Sequence, residues 1–314
     1  MSDLIINDDT CTALTVMWMI RIGTRGSQLA LWQARDLQSQ LAAKSINSEL
    51  VIIKTKGDQI QNLTFDKIEG KGFFTKEIED ALLANEVDVA VHSLKDLPTQ
   101  MISGLVLAGL SQRASPADIL ISSKSVHDPS RILRLKSGTR IGTSSIRRQV
   151  QIQHFDREVE ILPVRGNVPT RIGKIDNGEV DAVVLAAAGV ERLDIDLSSY
   201  NQLKFNPIEF VPAPAQGVIG YQCRTEDTVT RSIIAGIHNA DTARCTNVER
   251  DILRLLDGGC QLPLGAYVHS DYAGNFHCYT MLGTTLGSPI NHFQCSWSTA
   301  SGLSEHIVKH LKPN

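Results

Sequence analysis

Two short motifs occur twice in this chain, in the same order, and that repetition narrows the possible folds more than any other feature. Arg21-Ile22-Gly23-Thr24 returns as Arg140-Ile141-Gly142-Thr143, and Glu86-Val87-Asp88-Val89-Ala90-Val91 returns as Glu179-Val180-Asp181-Ala182-Val183-Val184. In each copy a short apolar strand runs into Gly-Thr and then into a serine, Ser27 or Ser144-Ser145, suited to cap an amphipathic helix. Strands alternating with helices predict α/β units with largely parallel sheets and with ligands at the carboxyl ends of the strands. The two markers lie 65 residues apart in the first copy (21 to 86) but only 39 in the second (140 to 179). The surplus is assigned to a polar, glycine-bounded loop between a strand over 50–55 and a helix over 75–85. A loop of that length inside a compact unit predicts a lid over 56–72.

The second copy reads as strands over 119–122, 140–143, 159–164 and 181–185. Pro207, Pro212 and Pro214 then mark a crossing segment, and a strand over 218–223 can return to the first unit. From about residue 241 the pattern changes to a helix, short strands near 266–270 and 276–282, and a final helix near 301–311. The expected organisation is α/β: two α/β domains flanking a cleft plus a small C-terminal α+β domain. Their expected bounds are a loosely ordered extension over 1–18, domain 1 over 19–114 with 216–238, domain 2 over 115–215, and domain 3 over 239–314. A chain of 314 residues is long for one core, which agrees with this division.

The formal net charge is −3, so no overall positive field exists to hold nucleic acid or an anionic membrane, and any anion site must be local. The first residues are acidic at Asp3, Asp8 and Asp9 and lack the basic start of a secretory signal, and no apolar run approaches a membrane span. The six cysteines, at 11, 223, 245, 260, 278 and 295, form no CxxC pair. A soluble cytoplasmic protein without disulfides, without a metal site and without a nucleic-acid or membrane partner is expected.

Arginines recur where the strands of both copies end: Arg25 after the first strand, Arg147 and Arg148 after Thr143-Ser144-Ser145, Arg165 after Leu162-Pro163-Val164, and Arg171 further on. A guanidinium grips carboxylate or phosphate in a fork, and a capped helix start adds N–H donors. No GxxxxGK[ST] or GxGxxG loop is present, so a nucleotide phosphate is disfavoured and a polycarboxylate fits better. Arg147 and Arg148, being adjacent, are expected to point in different directions. Asp96, in His92-Ser93-Leu94-Lys95-Asp96-Leu97-Pro98, puts a carboxylate at a strand end where it can accept substrate N–H groups or stabilise a cation. His92 falls inside the apolar strand and reads as a satisfied core histidine. Cys260 follows Gly258-Gly259, at the point where a helical pattern with Val248, Ile252 and Leu255 on one face stops, and Pro263 prevents the helix from resuming. A thiol presented there can carry a covalent attachment or act as a nucleophile.

Taken together, RIGTRGSQLALWQA (21–34), GKGFFTKEIEDALL (70–83), VDVAVHSLKDLP (87–98), IGTSSIRRQ (141–149), RGNVPTR (165–171), PAPAQGVIGYQCR (212–224) and GGCQLPLGAY (258–267) resemble the blocks of the porphobilinogen deaminase (hydroxymethylbilane synthase) family, in order. Gln222, where members often carry Glu, and Pro169 are small departures. The resemblance implies two periplasmic-binding-protein-like halves with a third domain. It implies an enzyme that joins four porphobilinogen molecules head to tail, releases ammonia each time and yields hydroxymethylbilane for porphyrin and heme biosynthesis. It further implies a dipyrromethane cofactor held by a thioether at Cys260, with Asp96, Lys95, Ser145, Arg147 and Arg148 around it. Asp96 is then the catalytic residue, and Arg25, Ser27, Arg165, Arg171, Arg192 and Gln216 contact substrate. Lys67 and Lys71 place charge in the lid, and the enzyme is expected to be a monomer. Two other readings compete on the residues alone. A non-enzymatic polycarboxylate-binding module would use the same arginine-lined cleft but needs no covalent pyrrole, and a Cys-nucleophile acyl transferase would need a His base near the thiol.

Overall fold

The computed structural model describes residues 19–55, 75–257, 262–284, 287 and 289–312. The extension expected over 1–18, the lid over 56–72 with Lys67 and Lys71, and Cys260 lie outside the described residues.

The chain begins with β1 (Met19–Thr24), α1 (Gln28–Ala42), β2 (Asn47–Ile52), α2 (Lys76–Leu83), β3 (Val89–Ser93), a 3-10 turn over Leu94–Asp96, and β4 (Leu105–Leu110). It continues through β5 (Asp118–Ser123), β6 (Arg140–Gly142), α3 (Ile146–Phe155), β7 (Glu160–Leu162), α4 (Val168–Asp176), β8 (Ala182–Ala186), α5 (Ala187–Arg192) and β9 (Tyr200–Lys204). Then come β10 (Ile219–Arg224), α6 (Thr228–Ala235), α7 (Ala240–Leu255), β11 (Leu264–Ser270), β12 (Phe276–Leu282), β13 (Asn291–Trp297) and α8 (Leu303–Leu311).

These strands form two five-stranded sheets, β2-β1-β3-β10-β4 and β7-β6-β8-β5-β9, and a three-stranded sheet β11-β12-β13. The two large sheets share one pattern. β1 pairs in parallel with β2 and β3, and β6 in parallel with β7 and β8. The strand in fourth place, β10 or β5, runs antiparallel to both of its neighbours. The sheets are therefore mixed rather than largely parallel, and the reason is the route of the chain. It leaves each sheet at the carboxyl edge, after β4 or β9, and enters the other at that same edge, so the arriving strand must run backwards. Both crossing segments, 111–117 and 205–218, consequently pass along the edge where ligands are expected. Gly217 shows how tightly they pack: its φ is +90°, and a Cβ there would lie 2.8 Å from Ser115 O and 2.9 Å from Ala114 O.

The repeated motifs have a common structural cause at the opposite edge. Arg21 N and Nε donate to Asp88 Oδ2 at 2.9 and 3.0 Å and Nη2 to Oδ1 at 2.8 Å, and Arg140 makes the same three bonds to Asp181 at 2.9, 3.0 and 2.8 Å. Each pair ties the start of one strand to the segment before its parallel neighbour. The serine caps differ between the copies. Ser27 Oγ accepts from Ala30 N at 3.3 Å, a cap of about 1 kcal/mol. Ser145 makes no such bond; its N–H donates to Thr143 Oγ1 at 3.2 Å, while Ser144 Oγ donates to Val164 O at 2.8 Å.

In the third unit α7 and α8 cover one face of the small sheet, with Val248, Ile252, Phe276, Leu303 and Ile307 in the core between them. The whole is the α/β architecture with a small α+β unit that the resemblance implies. The three parts meet at Glu249 on α7, which is fully buried. Its carboxylate accepts from Arg113 Nη1 (2.6 Å), Ala215 N (2.6 Å) and Val268 N (2.7 Å), joining both crossing segments to β11. Among the described residues no helix is long and apolar enough to cross a membrane.

Candidate active site

Asp96 owes its position to the residues on either side of it. β3 is apolar and buried, and Ser93, where it stops, accepts from the buried Gln33 Nε2 at 2.8 Å. Leu94 and Leu97 then plug into the core at 0% and 3% exposure. A one-turn 3-10 helix between two buried leucines leaves Lys95 half-buried and Asp96 exposed. His92 is the core histidine expected: it is buried, its Nε2 lies 3.1 Å from Gln222 Oε1, and burial pushes its pKa down to about 4. Gln222 also donates to the buried Glu79 at 2.9 Å, and an amide at this position avoids setting two carboxylates face to face.

Behind this turn lies a buried ion cluster centred on Asp118, a residue the sequence analysis did not single out. Asp118 is fully buried at the start of β5. Arg147 Nη1 lies 2.8 Å from its Oδ2 and Arg148 Nη2 2.7 Å from its Oδ1, while Gln216 Nε2 donates to Oδ1 at 3.0 Å. Arg147 and Arg148 thus do not diverge. Both turn inward, at 5% and 6% exposure, because one buried carboxylate collects them and the carbonyls of Val211 and Val184 take further N–H groups at 2.8 and 3.0 Å. The two guanidiniums hold the Asp118 carboxyl well below the usual range against the opposing push of burial. Asp118→Asn should therefore cost about 3–5 kcal/mol of stability, since it strands two buried cations, and denaturant unfolding measures this. The pH dependence has a definite sign. A depressed native pKa contributes stability that is complete above the unfolded value of about 3.9 and is lost as pH falls toward the native value, so the Asp118→Asn deficit should shrink only in acid.

The remaining arginines arrive from both units. Burial pushes Arg171 down to about 10, with Arg148 and Arg165 adding to the push and Asp96 opposing it, so Arg171 lies within electrostatic reach of all three. Arg171 Nε also donates to Gly166 O at 2.7 Å, which orients it from the helix start. Burial pushes Lys95 down to about 8; Asp96 and Asp118 oppose this shift, whereas Arg148 and Arg147 assist it. Arg25, Arg165, Ser27 and Ser145 are half-buried at the ends of their strands. Two residues expected at the substrate are placed otherwise. Gln216 is fully buried, its amide donating to Pro116 O (2.7 Å) and Ala117 O (3.2 Å) as well as Asp118 and its Oε1 lying 3.5 Å from Lys95 Nζ, so it braces the site from within a crossing segment. Arg192 donates to Gly217 O at 2.8 Å and lies over the Trp32 ring, 5.4 Å from its centroid, linking α5 to α1 and to the crossing.

The site is therefore an exposed carboxylate beside a cation-rich wall, built where two α/β units meet. The family model described as "Porphobilinogen deaminase, dipyromethane cofactor binding domain" matches residues 20–232, from β1 into α6. The chain belongs to the porphobilinogen deaminase family. Relatives include the porphobilinogen deaminases of Pelobacter propionicus, 42% identical over 79% of this chain and 78% of that one, and of Maridesulfovibrio salexigens, 44% identical over 80% of each. That of Chloroherpeton thalassium is 40% identical over 85% of this chain and 83% of its own length. Among solved structures, an ABC-transporter periplasmic substrate-binding protein from Coxiella burnetii aligns over 72% of this chain and 96% of its own, at 13% identity and a TM-score of 0.42.

Membership of the porphobilinogen deaminase family sets the binding-module reading aside. It also bears on the cysteines. Burial raises the thiol pKa of all four described ones, Cys223 to about 12 and Cys245, Cys278 and Cys295 in the same direction, which leaves none of them poised as a thiolate.

Proposed function

We propose that this member of the family condenses four porphobilinogen molecules head to tail into hydroxymethylbilane, releasing ammonia at each condensation, on a dipyrromethane carried by Cys260. The observation that carries this reading is the setting of Asp96, an exposed carboxylate whose charge acts on its neighbour Lys95 and on Arg171. Arg25, Lys95, Arg147, Arg148, Arg165 and Arg171 are six cations against two carboxylates, Asp96 and Asp118, leaving four positive charges. That surplus fits a dipyrromethane, whose pyrroles each carry an acetate and a propionate.

When bound, the cofactor supplies the pyrrole carbon to which substrate is joined. Lys95, Ser145, Arg147, Arg148 and Asp96 would hold it, the two buried arginines through their charge. Arg25, Ser27, Arg165 and Arg171 pair with substrate carboxylates, and Arg192 and Gln216 brace the wall behind them. Asp96 accepts pyrrole N–H groups and stabilises the positive charge that develops as ammonia leaves, where a fixed carboxylate costs no reorganisation. The working divisions are 19–114 with 216–238, 115–215 and 239–314, in a cytoplasmic monomer. The net charge of −3 supports a small-molecule substrate and no nucleic-acid or membrane partner.

Purified full-length protein should release ammonia from porphobilinogen and form hydroxymethylbilane; absence of both products would remove the assignment. Because burial pushes the Lys95 pKa down to about 8, the KM for porphobilinogen should rise as pH increases through that value. Lys95→Arg, which stays charged, should flatten the rise, and a KM profile identical in both proteins would take Lys95 out of carboxylate binding.

A further inference from the structure

Arg250 lies on α7, beside Glu249, and reaches out of the third unit to the turn that presents Asp96. Its Nη1 donates to Leu94 O at 3.2 Å and Leu97 O at 2.9 Å, and its Nη2 to Pro98 O at 2.7 Å. These three carbonyls bracket Asp96 on both sides. Burial pushes the guanidinium down to about 10, which agrees with a cation spent on neutral carbonyls rather than placed for solvent. Glu249 meanwhile fixes the same turn of α7 to both crossing segments and β11. The helix is thus held at consecutive residues, and its sequence leads from Leu255 into Cys260.

We propose that Arg250 is a positioning residue for the reaction: it sets the Asp96 turn in register with the helix that leads to the cofactor-bearing cysteine. The inference rests on the roles proposed above for Cys260 and Asp96. The fork takes Leu94 O and Leu97 O through one nitrogen and Pro98 O through the other, whereas a lysine's single ammonium can replace only one of those nitrogens. Without the fork the turn keeps its leucine anchors, and Asp96 shifts relative to α7. A misplacement of about 1 Å is enough to cost roughly 10²-fold in rate.

The test uses the full-length protein with Arg250→Gln, Arg250→Lys and, as a control, Arg140→Gln, which removes an ion pair at the far edge of the second sheet. Intact mass is measured first, because an unmodified wild-type protein would count against the Cys260 assignment and not against Arg250. Arg250→Gln should carry the cofactor, lose about 10- to 100-fold in kcat with KM changed less than about 3-fold, and show amide exchange over 93–97 at least about 10-fold faster than wild type. Arg250→Lys should recover part of both effects. Arg140→Gln should lose stability without either signature. A kcat within about 2-fold of wild type in Arg250→Gln, or unchanged exchange over 93–97, would overturn the proposal. If Arg250→Gln does not fold, the same two readouts on Arg250→Lys decide it.

Discussion

Replacing Asp96 by asparagine should lower turnover by about 10²-fold or more while leaving the protein folded and its cofactor attached. The shape of the side chain is kept and only its charge is removed, so the loss isolates what the carboxylate does as ammonia departs. Asp96 is exposed, so the cost in stability should be small and confined to the lost support of the half-buried Lys95 ammonium. A second signature follows from its neighbour. Asp96 is the foremost group holding the Lys95 pKa up against burial, so in Asp96→Asn the pH at which KM rises should move below about 8. Turnover close to wild type with cofactor in place would make Asp96 a structural turn residue.

Cys260→Ala should abolish turnover altogether while the protein still folds. The thiol is flanked by Gly258-Gly259 and Gln261, and the helix before it is anchored independently by Val248 and Ile252 in the core and by Glu249 at the junction. Loss of the sulfur removes the proposed point of attachment. Without the cofactor's carboxylates against the surplus cations of the site, the protein should unfold at a lower temperature than wild type. The variant should give no colour with an acidic aldehyde reagent, whereas the wild-type protein should give the reaction of a dipyrromethane.

The sequence was informative where a motif has a local or repeated cause. The Arg21–Asp88 and Arg140–Asp181 pairs impose the same residues in the same order twice, which is why the two α/β units were readable. Asp96 was readable because a strand, a short polar turn and a proline follow one another. β13 was missed although Asn291–Trp297 alternates in burial, and β4 and β9 were missed for opposite reasons. Leu105–Leu110 is a continuous apolar run without alternation, whereas Tyr200–Lys204 is a mostly polar edge strand. The supporting shell was invisible because its partners are remote. Asp118 meets Arg148 across 30 positions, Arg113 meets Glu249 across 136, and Arg250 meets Leu94 across 156. An acid opening the apolar run after Pro116 was the available hint of Asp118, since a carboxylate in such a place must be paired if it is buried. The inward turn of Arg147 and Arg148 follows from that same carboxylate, and adjacency on a helix gave no warning of it.

The central claim is that a dipyrromethane is attached through Cys260, and intact-protein mass spectrometry of the purified full-length chain tests it most directly. Wild-type protein should be heavier than its sequence by one dipyrromethane, and Cys260→Ala should match its own sequence. A wild-type protein that matches its unmodified sequence and still converts porphobilinogen, or a Cys260→Ala variant that carries the same added mass, would contradict it.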